Sequence, residues 1–221
     1  MRAFLFFIRM ELLLLLRRSH EWIYPVSFFI VVISLFPLVF TPDPVFLQKY
    51  VSGCIWIAAL FASLLSVGQL FSSDMEEGQL DQCLLSPSFS RFVFAKLIAQ
   101  WIVTELPLVL ITPILGFLFH LPLSSMVALT LSLFIGTPIL LLLNSFGVAL
   151  MMGLKQQGVL LALIIFPLLT PVIIFGVAIT QQSQAGFSIV GPVAFLAGLC
   201  VLSMTLLPWV IAVVLKMGAD E

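Results

Sequence analysis

The sequence predicts an all-α membrane protein with six transmembrane helices, and three observations predict it. Of its 221 residues 62% are hydrophobic and 9% charged, against about 25% charged in soluble proteins, and the mean hydropathy is +1.26. The apolar residues fall into long runs without a single charge. The few cations gather at alternate ends of those runs. A water-soluble fold could not hide so much apolar surface.

The formal net charge of -1 and nine scattered Lys and Arg offer no basic face for a phosphate backbone, so nucleic acid is not an expected partner. Cys54, Cys83 and Cys200 lie far apart, without a CxxC or CxxCH pairing, and read as small apolar residues of helices. His20 and His120 are the only histidines and share no metal-ligand spacing. No catalytic, cofactor-binding or metal-ligating residue is assigned to the chain.

The N-terminal stretch, about residues 2–20, is helical in character but too charged to span. Arg9 and Glu11 interrupt its apolar run, and Arg17-Arg18 end it without a small-residue cleavage site, so it is expected to be retained. At 100° per residue Arg2 and Arg9 share one stripe, with Glu11 and Arg18 nearly opposite, which is not a clean two-faced pattern. A helix at the cytoplasmic interface is still expected, its long arginine stems reaching the headgroups.

Crossing the hydrocarbon core takes about 20 mostly apolar residues in a helix, because backbone groups in lipid must be satisfied within the segment. That ruler places spans at about residues 22–42 and 50–73, both uncharged. The uncharged run 106–154 is too long for one span; the residues from His120 to Ser125 supply a turn, giving a third span at about 94–119 and a fourth at about 126–151. A second long run breaks at Gln181-Gln182-Ser183-Gln184, giving a fifth at about 159–180 and a sixth at about 193–215. With these spans Arg2, Arg9, Arg17, Arg18, Arg91, Lys96, Lys155 and Lys216 fall on one side and Lys49 alone on the other. The positive-inside rule then puts both termini in the cytoplasm.

Prolines recur inside the spans at positions 37, 107, 113, 138, 167, 171 and 208. Pro167 and Pro171 share a face; they imply either a bent helix that moves or simply prolines that a membrane helix tolerates. Glu105 lies nine residues past Lys96, roughly 13 Å deeper along a helix. A carboxylate there costs about 2.5–3.5 kcal/mol on insertion scales, so it should face protein or water, or carry a proton. A functional site and a helix-packing hydrogen bond are both open readings.

The loop between the second and third spans, residues 74–91, carries the one acidic cluster of the chain. Leu80, Cys83 and Leu84 fall at i, i+3 and i+4, so a short helix would show an apolar stripe beside an acidic one, and Pro87 would stop it. Such an element could pass a push from a cytoplasmic partner into the membrane, or be no more than a solvated loop. The order of Asp74, Glu76, Glu77, Gly78, Leu80, Asp81, Leu84, Leu85 and then Ser86-Pro87 resembles the loop of type-2 ABC permeases. The resemblance implies that these eight residues form the coupling helix that docks on an ATPase subunit.

Further pieces narrow it. Residues 27–38, 53–60 and 70–74, then Ala95-Lys96-Leu97 with Trp101, Leu106-Pro107-Leu108, Gly136-Thr137-Pro138, Gly147-Val148-Ala149-Leu150 and Gly153-Leu154-Lys155, are similar in order and spacing to the CcmB family, the haem exporter B permeases of cytochrome c maturation. The resemblance covers about residues 9–176. Two positions depart from it. A histidine commonly precedes the tryptophan that stands here as Trp101, where this chain has Gln100, and Glu105 replaces a small or neutral residue.

The resemblance implies a non-catalytic permease subunit of the bacterial inner membrane, with haem as cargo and ATP used by a separate subunit. Partners would be a CcmA-like ATPase, a second copy of the chain, a CcmC-like haem-handling subunit and a CcmE-like haem chaperone. The chain itself has no GxxxxGK[ST] phosphate loop, so energy must arrive from another chain. From the residues alone, a type-2 permease for another lipid-like or glycan cargo, and a mechanical subunit that conducts nothing, stay open. Trp101, Glu105, Pro167 and Pro171 are the intramembrane residues singled out for a functional role.

Overall fold

The computed structural model describes residues 2–39, 44–68, 70, 89–151 and 157–219, and these contain helices and turns but no strand. In chain order the helices are α1 (Arg2–Arg17), α2 (Ser19–Val39), α3 (Pro44–Gly68) and α4 (Phe89–Gln100). A π-helical turn at Trp101–Glu105 joins α4 to α5 (Leu106–Leu118), and the three form one continuous span. Then follow α6 (Leu123–Met151), α7 (Gln157–Gln184) and α8 (Val190–Ala219). Six of these segments are long and apolar enough to cross a bilayer, which bears out the all-helical, six-span reading.

α1 turns into α2 at a bend on Arg18, where the guanidinium reaches the Glu21 carboxylate at 3.4 Å. Its side packs on α4 through a stacked Phe4–Phe94 pair and an edge-on Phe7–Phe92 pair, ring centroids 5.9 and 6.3 Å apart. Charge stripes alone gave no clean two-faced pattern, yet α1 separates its polar and apolar sides more than any other described helix. Glu11 accounts for the difference. It is buried against α4, with an oxygen 3.9 Å from the ammonium of the equally buried Lys96, so the acid that spoils the stripe belongs to the inner face.

Both short connections at one end of the bundle close by the same backbone device. After α5, Leu121 N–H donates to the Gly116 carbonyl at 2.9 Å and His120 N–H to Phe117 at 3.1 Å; after α7, Phe187 N–H donates to Gln182 at 2.9 Å and Gly186 N–H to Ser183 at 3.3 Å. These paired bonds satisfy the last carbonyls of each helix and need a left-handed residue just past the end. His120 (φ 55°) and Gly186 (φ 73°) supply it. The stretch Gln181–Gln184, read as the break between spans, is therefore the last turn of α7, because glutamine is a good helix former and the chain turns only where Gly186 permits. Ser124 and Ser125, read with the earlier turn, already belong to α6. Gln48 ties this end together. Its side-chain amide donates to the His120 backbone carbonyl at 2.8 Å, and its backbone carbonyl accepts from the Gln184 side-chain amide at 3.1 Å.

α6 is the axis of the bundle, touching α3, α5, α7 and α8. Two thirds of its span (67%) is buried within the protein, against 22% for α2 at the periphery. Trp56 of α3 lies at the centre, fully buried, its indole N–H donating to Ser132 of α6 at 3.3 Å. Its ring fits between Gly136 of α6 and Gly176 of α7, and a Cβ at either glycine would collide with it. Small residues that admit a large neighbour are how membrane helices approach closely without a hydrophobic driving force.

Candidate functional site

The π turn is the irregular feature of the third span, and its cause is local. Pro107 lacks the N–H that would bond the Val103 carbonyl, and its ring crowds that carbonyl. The chain takes up one extra residue instead, so that Leu106 N–H reaches back to the Trp101 carbonyl. Such single π turns recur at functional sites because they re-aim side chains that a regular helix would place elsewhere.

Here the turn points Trp101 and Glu105 at different surroundings. Trp101 is half-buried, its indole N–H donating to Thr137 of α6 at 3.1 Å and its ring edge-on to Phe134 at 5.6 Å between centroids. Glu105 is fully buried, facing neighbouring helices and not lipid. Ser63 of α3 is its polar neighbour, but neither carboxyl oxygen has a hydrogen bond of ordinary geometry.

Around Ser63 the second, third and fourth spans bring together a polar cluster. The Asn144 amide donates to the Ser63 hydroxyl at 3.1 Å, and the Gln100 amide donates to the Ser66 carbonyl at 3.3 Å. Ser66 itself donates back to the Ser63 carbonyl at 3.0 Å. Gln100, Glu105, Ser63 and Asn144 are each at most 1% exposed. The cluster is short of donors: Asn144 Oδ1, Gln100 Oε1 and both Glu105 oxygens are buried without a partner. Each unpaired buried acceptor costs about 1–3 kcal/mol, so the cluster is held together by the helices and not the reverse. Chemically it offers buried acceptors to a donor within the bundle.

Of the residues singled out from the sequence, Glu105 joins this cluster and Trp101 adjoins it. Pro167 and Pro171 do not; they lie on α7, Pro167 exposed on the outer surface and Pro171 half-buried, with the helix unbroken through both. Asp74, Glu76, Glu77, Gly78, Leu80, Asp81, Leu84 and Leu85 lie outside the described residues. The residues that bracket them do not. Leu70 and Phe89 are both buried in one apolar cluster with Leu141 of α6 and Ile211 and Leu215 of α8, so the loop leaves from and returns to a single patch. Ser63, Asn144 and Gly176 escaped sequence reasoning, because a serine, an asparagine or a glycine in an apolar run is ordinary; Trp56 and Gly136 entered only through the family resemblance, and the fold alone brings them together. Among the described residues no three His, Cys, Asp or Glu side chains gather as a metal-binding group.

The family model described as CcmB protein matches residues 2–218. The chain belongs to the CcmB family. Relatives bear this out over nearly their whole length. The protein named heme exporter protein B from Pseudomonas aeruginosa is 44% identical over 212 residues, covering 96% of this chain and 95% of that one. The one from Haemophilus influenzae is 39% identical over 219 residues, 99% of each chain. The Escherichia coli K12 protein of the same name is 38% identical over 211 residues, covering 95% and 96%. As a member of the CcmB family the chain is a multi-pass membrane protein, and the π turn and its polar cluster lie inside the matched region.

Proposed function

We propose that this chain is the permease subunit of an ABC exporter complex acting in cytochrome c maturation, with haem as the cargo and no catalytic chemistry of its own. The observation that carries the reading is the match to the CcmB family across nearly the whole chain, joined to relatives named heme exporter protein B at 38% to 44% identity. ATP is hydrolysed by a separate CcmA-like subunit that docks on residues 74–85, in a complex with a second copy of this chain, a CcmC-like subunit and a CcmE-like haem chaperone. The chain sits in the bacterial inner membrane with both termini cytoplasmic, on the count of cations at its two ends.

Two features support the transmission part of this reading. The loop that would be pushed is anchored at both ends in the patch shared with α6 and α8, so a displacement there would be delivered to the axial helix. The third span then carries the π turn, a place where a helix changes register at low cost. Disrupting the gene should abolish c-type cytochromes, read by haem staining; their normal appearance would overturn the haem assignment. Glu77→Lys or Gly78→Pro should leave the protein inserted while uncoupling ATP hydrolysis from cytochrome assembly. In the disrupted strain, a haem-free chaperone would assign conduction to this subunit, and a stalled haem-loaded chaperone would assign mechanical release.

A further inference from the structure

A groove runs down the outside of the bundle between α4 and α8, roofed at one end by α1. Its mouth is lined by Phe4, Ser90, Arg91, Thr205 and Trp209 and encloses about 470 Å³. Its inner part, about 140 Å³, is lined by Leu97, Ile98, Trp101, Pro138 and Leu141, with no polar surface. Phe94 and Met204 border both parts, so the two lie end to end with those side chains where they meet. From Arg91 to Trp101 is ten residues of helix, roughly 15 Å at 1.5 Å each, which is half of a hydrocarbon core about 30 Å thick. The groove is thus one leaflet deep.

Charge is graded along it. Arg91 is exposed at the mouth and, among the described residues, forms no ion pair. Lys216 of α8 lies at the same end, its ammonium 5.7 Å from the Phe89 ring. The nearby carboxylate of Glu11 is turned inward toward Lys96. Trp209, 70% exposed beside the mouth, is the kind of side chain that settles at headgroup level.

We infer that this groove holds one anionic phospholipid of the leaflet nearest the termini, its phosphate at Arg91 and one acyl chain lying along Phe94 and Met204 to Trp101 and Pro138. A wholly apolar slot opening to the bilayer forfeits dispersion contacts unless a chain fills it. Arg91 at the mouth of that slot selects a headgroup of net negative charge over a zwitterionic one, and Lys216 adds to the positive field of the same end. The inference stands apart from the cargo: it holds whatever the transporter moves.

The test uses the full chain reconstituted in nanodiscs of equal phosphatidylglycerol and phosphatidylethanolamine, released into mild detergent, with retained lipids counted by native mass spectrometry. The parent should retain phosphatidylglycerol preferentially. Arg91→Gln should cut that preference about fivefold, the share of one interfacial cation, and Arg91→Lys should keep most of it. Met204→Trp, which fills the channel, should reduce retention of both lipids while the protein stays monodisperse. Equal retention of the two lipids by the parent would overturn the inference, as would an unchanged preference in Arg91→Gln.

Discussion

Trp56 meets glycine on two sides, Gly136 from α6 and Gly176 from α7, and both contacts are with a rigid ring in the middle of the bundle. A methyl group at either position has nowhere to go, so Gly136→Ala or Gly176→Ala should each destabilise by about 1–3 kcal/mol. The melting temperature in detergent should fall, and Trp56→Phe combined with Gly136→Ala should recover part of the loss by shrinking the wedge. Glu105 leads to the opposite expectation. Glu105→Gln keeps the shape and adds two N–H donors to a cluster whose Asn144 and Gln100 oxygens lack them, so it should stabilise by about 1 kcal/mol, a rise of roughly 2–4 °C in the melting temperature. A fall would mean that the carboxyl is already satisfied. Glu105 could be singled out from the sequence because an acid in an apolar run is conspicuous. Its neighbours could not, since Ser63 and Asn144 come from other spans and no local spacing links them.

Between Trp101 and Leu106 the third span carries one residue more than a regular helix needs. Removing a residue there should therefore be absorbed. Deleting Ile102 is expected to leave α5 with Leu108, Thr112 and Leu115 still buried, whereas deleting the buried Val109 would rotate everything beyond it by about 100° and carry Thr112 and Leu115 off the core. Expression and melting of the two deletions in detergent would check this, with the Ile102 deletion surviving and the Val109 deletion lost. Hydropathy cannot find such a turn, because one extra residue in five hardly alters an apolar window; Pro107 was its sole visible trace. The same blindness moved the end of α7. Gln181–Gln184 is polar enough to look like a loop, but the helix is ended by backbone geometry at Gly186 and not by polarity.

For the whole molecule the bilayer imposes a ruler, and that is why the count of six was legible while the packing order was not: length and charge are written along the chain, but which helix becomes the axis depends on contacts between distant spans. Orientation makes the matching prediction. In intact cells a membrane-impermeant maleimide should label Ser188→Cys, in the exposed turn after α7, and should reach Cys83 only after the membrane is opened. The Gln48 clasp lies at the Gly186 end, binding the start of α3 to the turn after α5 and to the last residue of α7. Toward the other end of α3 the Gln100–Ser66 and Asn144–Ser63 bonds tie it to the third and fourth spans, but no such bond reaches α7 there among the described residues. A helix pinned at one extremity can swing as one arm of a pair of tongs does about its rivet, with travel growing in proportion to distance from the pin. Gly176 stands eight residues from the pinned end of α7, so it would feel roughly a third of any sideways stroke applied at the other end of that helix, and the Trp56 ring seated on it is where such a stroke would first meet resistance.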